Sequence, residues 1–221
     1  MNIIVSEPIK TLCLNFIGAV VEAKVKNSKY NTDLWGEIIS FCDKFKTEYT
    51  IDSIKQISGI KATRMVYREC GKDPSRYRPA AEALMRRILN GKELYKIDTL
   101  VDLINMASLV YGYSIGGFDS DKIAGDTITL GVGKSGEPYV GIGRGSINIE
   151  DLPVYRDKYG GIGTPTSDNE RTKMTIETTH IFAVINGYDG NIETVKANAE
   201  FIQRLLIKYA FSDGGNVSYF K

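Results

Sequence analysis

The period of the hydrophobic pattern changes near Asp119. Before it, apolar residues recur mostly three and four positions apart, the spacing of a helix face. Residues 11–26 are the exception. Leu12, Leu14 and Phe16 alternate with less apolar neighbours and predict an opening strand or bent strand pair, with Gly18 marking a bulge. A helix is predicted over 31–49, capped by Asn31 or Thr32, with Trp35, Ile38, Ile39, Cys42 and Phe45 on one face. Asp52 can cap a short second helix over 54–58, which Gly59 would stop. The clearest helix runs over 79–90. Pro79 suits its start, where a missing N–H costs nothing, and Gly91 suits its left-handed end. Its predicted stripe is Ala83, Leu84, Ile88 and Leu89. A further helix over 99–110 turns Leu100, Leu103, Ile104 and Ala107 inward and stops at Gly112.

After Asp119 the apolar runs are short, β-branched and separated by glycines. Segments 127–132, 138–142 and 178–185 predict strands, and the glycine-rich stretch 160–165 predicts a loop. Asn191 opens a last helix that reaches about Tyr209, and residues 214–221 read as a tail. Helices gathered before Asp119 and strands after it favour an α+β fold over alternating βαβ units. With 221 residues and no low-complexity linker, the expectation is one domain: an extension over 1–60, a core over 61–212 and a tail over 213–221.

Composition narrows the function by exclusion. The net charge of +1 gives no global attraction to nucleic acid or membrane, so an RNA role needs a local patch. Cys13, Cys42 and Cys70 have no paired spacing and read as reduced thiols of a cytoplasmic protein. Neither a signal peptide nor a run long enough to span a membrane is visible. The phosphate-loop, zinc-helix and nucleophile-elbow motifs are missing. Gly131, Gly133 and Gly136 approach a dinucleotide fingerprint but lie between strands, where no helix N-terminus follows. One histidine, His180, and no cysteine cluster argue against a metal site, and no cofactor is expected.

Two features carry candidate chemistry. Arg68, Lys72, Arg76 and Arg78 interleave with Tyr67 and Tyr77, and Arg86, Arg87 and Lys92 follow on the next helix. Arginine grips phosphate and tyrosine stacks on bases, so Arg68, Lys72, Arg76, Tyr77, Arg78 and Arg87 form an RNA-facing candidate. The competing reading folds these cations onto loop carbonyls and onto Glu69, Asp73 and Glu82. The second feature is Asn105, an amide among apolar residues with Asp102 one turn earlier, which must find partners when buried.

These stretches resemble a known family. The carriers are Tyr67-Arg68, Gly71 to Pro79, Glu82 to Arg87, Gly91-Lys92, Val101 to Asn105, Ser108-Leu109 and Gly117 to Ile123. Over about residues 60–186 the sequence is similar to the stand-alone B3/B4 domain proteins, relatives of the B3/B4 module of the bacterial phenylalanyl-tRNA synthetase β chain. The resemblance implies a β-sandwich core with flanking helices and a pocket between its halves. It also implies tRNA or aminoacyl-tRNA as partner, and hydrolysis of a misattached amino acid as the activity.

Asp102 and Asn105 match the family's Asp-x-x-Asn pattern, and Gly112, Phe118 and Asp119 match the turn that follows. The family's histidine position holds Gly116. The later glutamate position falls near Val184, with Glu177 out of register. The candidate pocket set is Asp102, Gly116, Gly117, Gly160, Gly161, Thr166, Ser167 and Thr172, with Asn105 orienting water or substrate. The expected function is therefore RNA binding with trans-editing ester hydrolysis. A non-catalytic binder of tRNA or an amino-acid-like ligand is the alternative, and a purely structural domain the third reading. The amino acid served and the oligomeric state are not legible.

Overall fold

The computed structural model describes residues 1–221. Strand β1 (Asn2–Val5) and helix α1 (Glu7–Leu12) open the chain. Pro8 in the first turn favours this helix, so the alternation from Leu12 is not one strand. The expected strand begins later, as β2 (Ile17–Lys24). Helix α2 (Thr32–Glu48) starts where Asn31 accepts bonds from the Asp33 and Leu34 N–H groups. A 3₁₀ turn over Ser53–Gln56 follows, and then helix α3 (Ser58–Glu69). Gly59 does not stop a helix here. It lies in the first turn of α3, where a Cβ would meet the Tyr113 ring at 2.5 Å.

Helix α4 (Ala80–Leu89) ends at Gly91, whose φ is 70°. Its buried face is Ala81, Glu82, Met85 and Ile88, rotated from the predicted stripe because Glu82 points inward to two arginines. Helix α5 (Thr99–Tyr111) is capped by Asp98 and closed by Gly112 in the left-handed region.

The strands β3 (Ile115–Asp119), β4 (Thr127–Val132), β5 (Val140–Gly141), β6 (Gly145–Ser146), β7 (Pro153–Asp157), β8 (Gly160–Gly163) and β9 (His180–Gly187) follow. Helix α6 (Ile192–Tyr209), capped by Asn191, and strand β10 (Asn216–Phe220) end the fold. Two of these strands replace expected irregular structure. The glycines of β8 make room for rings: Cβ atoms at Gly161 and Gly163 would meet Tyr139 at 2.8 Å and Phe118 at 2.4 Å. The tail turns back at Gly214 and Gly215, both at positive φ, and β10 pairs with β2.

The fold is α+β, a β-sandwich with flanking helices. The first sheet has the order β1-β4-β7-β8 and the second β10-β2-β9-β3; β5 and β6 form a separate ribbon. Only β1 and β4 run parallel. The expected extension over 1–60 thus contributes a strand to each sheet. No bulge interrupts β2 at Gly18; the Phe220 ring lies where its side chain would be.

The second sheet is covered on both faces, so its strands are apolar at successive positions. Val20, Phe118, Phe182 and Val184 face the first sheet, packing with Ile128, Leu130 and Tyr155. Ala19, Val21, Ile181, Ala183 and Ile185 face α2, α5 and α6. A smaller core joins α2, α3, α4 and α5 through Phe45, Ile60, Met85 and Leu109.

Candidate functional site

Strands β3 and β8 are the edge strands at the same end of their sheets. An exposed edge leaves N–H and C=O groups unpaired. The segment following β8 crosses this opening. It bridges Gly163 to Asp168, and Phe118 to Lys173. Its turn is built by Thr164, whose Oγ1 accepts from the Thr166 and Ser167 N–H groups and donates to the Ser167 carbonyl. Asn169 then donates its N–H to the Ile162 carbonyl and caps the 3₁₀ turn Glu170–Thr172.

Asp168 is the group this segment delivers. Its Oδ2 accepts the Gly117 N–H at 3.1 Å. Cβ atoms on Gly163 and Gly116 would lie 3.0 and 3.5 Å from its Oδ1, so two bare glycines wall the carboxylate. Part of the residue remains accessible, yet protein atoms crowd the carboxyl. Burial pushes its pKa up to about 7, against the opposing pull of the Gly117 N–H. No cation offsets it. A carboxylate poised near neutrality at a sheet edge can take a proton from water or pair with an incoming ammonium group. Sequence reasoning missed Asp168. Its signal was faint: one acid within Thr-Pro-Thr-Ser-Asp-Asn, directly after a glycine run.

The expected pocket residues divide around this point. Gly116 and Gly117 lie on β3 beside Asp168, facing opposite ways. A side chain at Gly116 would meet the Phe118 ring at 2.7 Å; one at Gly117 would meet Met174 at 2.7 Å and Ile104 at 3.7 Å. Val184 pairs directly opposite Gly116. The positions where the resemblance places a histidine and a glutamate are therefore cross-strand neighbours, one bare and one apolar, closed over by Phe118 and Phe182.

Ser167 is half-buried, and its carbonyl accepts from the Tyr139 hydroxyl at 2.7 Å. Thr166 is buried, its Oγ1 2.8 Å from the Tyr67 hydroxyl. Thr172 is fully buried, and its Oγ1 has no hydrogen-bond partner. Gly160 starts β8 with open space beside it, and Gly161 lies under Tyr139. Asn105 is half-buried on α5 and gives Asp168 no hydrogen bond.

Asp102 stands apart from this edge. It is buried where α2 meets α5. Its Oδ2 accepts the Trp35 Nε1–H at 2.6 Å and its Oδ1 the Ile97 N–H at 3.2 Å. Burial raises its pKa to about 6, with those two bonds and Lys96 opposing. It pins the chain before α5 and is not a pocket group. Glu177 is exposed in a turn, and His180 faces solvent with its Nδ1 2.9 Å from Asp121.

The basic candidates divide too. Lys72 is buried, bonded to the Asn148 and Glu150 carbonyls, with its Nζ 4.0 Å from the Tyr77 ring centre. Lys72 is thus not free to meet a phosphate, and one face of Tyr77 is occupied. Arg87 bonds the Glu93 carbonyl and the Tyr95 hydroxyl and stacks on the Tyr95 ring. Arg68, Arg76 and Arg78 are exposed. Their segment touches the candidate site: Ala80 donates its N–H to the Pro165 carbonyl at 2.8 Å, and Tyr67 meets Thr166. No group of three His, Cys, Asp or Glu gathers as for a metal, and no helix is long and apolar enough to cross a membrane.

A helix-flanked sandwich with a glycine-walled carboxylate at its open edge is the class of domain these observations define. Within that class the chain belongs to the B3/4 domain family, whose family model matches residues 62–205. Among solved structures, the chain is similar to an N-terminal fragment of the phenylalanyl-tRNA synthetase β-subunit from Pyrococcus horikoshii. The identity is 15%, the TM-score 0.48, and the match covers 98% of this chain and 50% of that one. The chain thus spans half the length of that fragment. No curated protein matches the sequence.

Proposed function

We propose that this B3/4 domain protein binds tRNA through Arg68, Arg76 and Arg78 and presents the Asp168 edge to the aminoacyl end. One observation carries the reading. The segment bearing the exposed arginines is hydrogen-bonded to the segment bearing Asp168, through Ala80–Pro165 and Tyr67–Thr166. The reading rests on that contact, which ties exposed cations able to grip phosphate to the segment carrying a carboxylate without a cation. The α-ammonium of an aminoacyl ester is the natural partner for a carboxylate without a cation. Fluorescence anisotropy with bulk tRNA at increasing salt tests the binding. Affinity should fall steeply with salt, and R76A/R78A should weaken it and flatten the slope by about two phosphate contacts. Affinity indifferent to salt and to both substitutions would sink this reading.

A second reading makes the Asp168 carboxylate a base for water instead of the ammonium partner, and its near-neutral carboxyl favours it. The ionised carboxylate takes a proton from water as that water attacks the ester carbonyl. The carbon–oxygen bond to the tRNA ribose then breaks, and the ribose oxygen leaves with the proton that Asp168 had taken, which restores the carboxylate. Aminoacyl esters are labile, so an oriented water and one base suffice without metal or covalent nucleophile. A panel of mischarged tRNAs decides it. Deacylation above buffer that D168N abolishes supports hydrolysis; no deacylation of any member leaves the protein a binder.

A further inference from the structure

A second concave site, remote in sequence from Asp168, lies between α2 and the chain that follows α4. It encloses about 250 Å³. Trp35, Ile38, Ile39 and Cys42 of α2 form one wall, and Ile88 and Leu94 the other. Ile39 is 52% exposed, which leaves an apolar surface open to the groove. Neither Asp168 nor Arg68, Arg76 or Arg78 lines it.

The rim is charged. Lys46, Lys92 and Lys96 face Asp43 and Glu93. Lys46 is already paired with Asp43 at 3.1 Å. On the rim itself two ammonium groups then remain against the single Glu93. Lys96 is also positioned. Its Nζ lies 5.2 Å from the Trp35 ring centre and 5.5 Å from that of Tyr30, and the two rings stack at 15°. The buried Asp102 carboxylate beneath Trp35 also attracts Lys96, but its oxygens already accept from Trp35 and Ile97, and an ammonium held against ring faces keeps donors for an anion. Trp35 is itself fixed through its bond to Asp102.

We infer that this groove binds a small amphipathic monoanion, a carboxylate on an aromatic or branched apolar body. The volume is below the ~300–1,000 Å³ of sites for drug-sized ligands, so the ligand has the size of a small metabolite. Its apolar body lies against Ile38, Ile39 and the indole, and its carboxylate meets Lys96 and Lys92. A cation of the same shape would face two ammonium groups, and a neutral analogue would forgo the charge. The inference does not depend on the tRNA reading.

The chain has one tryptophan, so its indole N–H gives one cross-peak in a nitrogen–proton NMR spectrum. Titrating labelled protein with 4-phenylbutyrate should shift that peak saturably, together with amides of residues 88–96. 4-Phenylbutyramide should bind at least ~3-fold more weakly, the scale of one partly exposed charge pair, and 4-phenylbutylamine more weakly still. K92Q/K96Q should erase the difference between acid and amide, and I39D should weaken both. These sites are at the surface, and an unchanged spectrum elsewhere confirms that each variant is folded. The inference is overturned if no compound gives a saturable shift, if acid and amide bind the wild type alike, or if I39D binds as well as wild type.

Discussion

Two sets of cations on the same stretch of chain have opposite fates. Arg64, Lys72 and Arg86 are folded in. The fully buried Glu82 carboxylate accepts from Arg64 and from Arg86, each at 2.8 Å, and Arg64 also reaches the Pro74 carbonyl. Lys72 is spent on two carbonyls. Arg68, Arg76 and Arg78, a few positions away, face solvent. The difference is geometric. Arg64 lies on the α3 face that carries Ile60 and Tyr67, whereas Arg68 falls on its exposed side and Arg76 and Arg78 on the loop beyond. A basic run therefore does double duty, one half holding α3 to α4 and the other half left free. Breaking the inner set should cost stability and spare RNA contact; breaking the outer set should do the reverse.

The largest expected effect is from Glu82→Ala. It leaves two guanidinium groups without their buried partner and should destabilise by ~3–5 kcal/mol in urea unfolding. A loss under 1 kcal/mol would show that the cluster is not structural. Lys72→Ala removes two carbonyl bonds and the Tyr77 contact, and should cost ~1–3 kcal/mol. R76A/R78A should change stability by less than ~0.5 kcal/mol while weakening tRNA binding. If the double variant unfolds more easily than Lys72→Ala, the division into inner and outer sets fails.

The same contrast of closed and open applies to two carboxylates, and pH sharpens it. Asp102 and Asp168 both have folded-state pKa values above the unfolded value of ~3.9. Each holds its proton more tightly in the folded chain, so each contributes stability that is full below about pH 4 and lost as pH rises through its folded pKa. The loss extends to about pH 6 for Asp102 and about pH 7 for Asp168. Asp168→Asn should reduce by about half the decline of a stability–pH profile between about pH 4 and 6, where Asp102 also contributes, and remove the decline between about pH 6 and 7, as measured by thermal unfolding. An unchanged profile between pH 6 and 7 would place the Asp168 titration elsewhere.

Much of the helical layer was legible because its signals are local. Asn31, Pro79 with Gly91, Gly112 and Asn191 each mark a boundary within a residue or two of the observed one. Strand β8 was illegible because its glycines make room for rings from elsewhere, Phe118 and Tyr139, and β10 because it follows the turn at Gly214 and Gly215 and pairs with β2, far away in sequence. Helix α3 was hidden by Gly59, read as a stop when it is a contact with Tyr113. Of the candidate site, Gly116 and Gly117 were found through the family resemblance, and Asp168 was not. Its meaning comes from two edges, β3 and β8, far apart in sequence and adjacent only once both sheets exist. Asp102 was placed in the pocket because spacing shows that it shares a helix with Asn105, not that Trp35 reaches it from α2.

The order β10-β2-β9-β3 also sets a schedule for synthesis. Strand β2 ends at Lys24, and its partners begin at His180 and Asn216. A ribosome making this chain exposes the apolar run of β2 for most of elongation with neither neighbour available. The second sheet can close only after the last strand emerges. Such distant pairing folds slowly and leaves an adhesive edge open to other chains in the interval. Aggregation of chains stalled after α5 is the expected outcome of placing both partners of an early strand so late, and a sedimentation assay of stalled chains would check it.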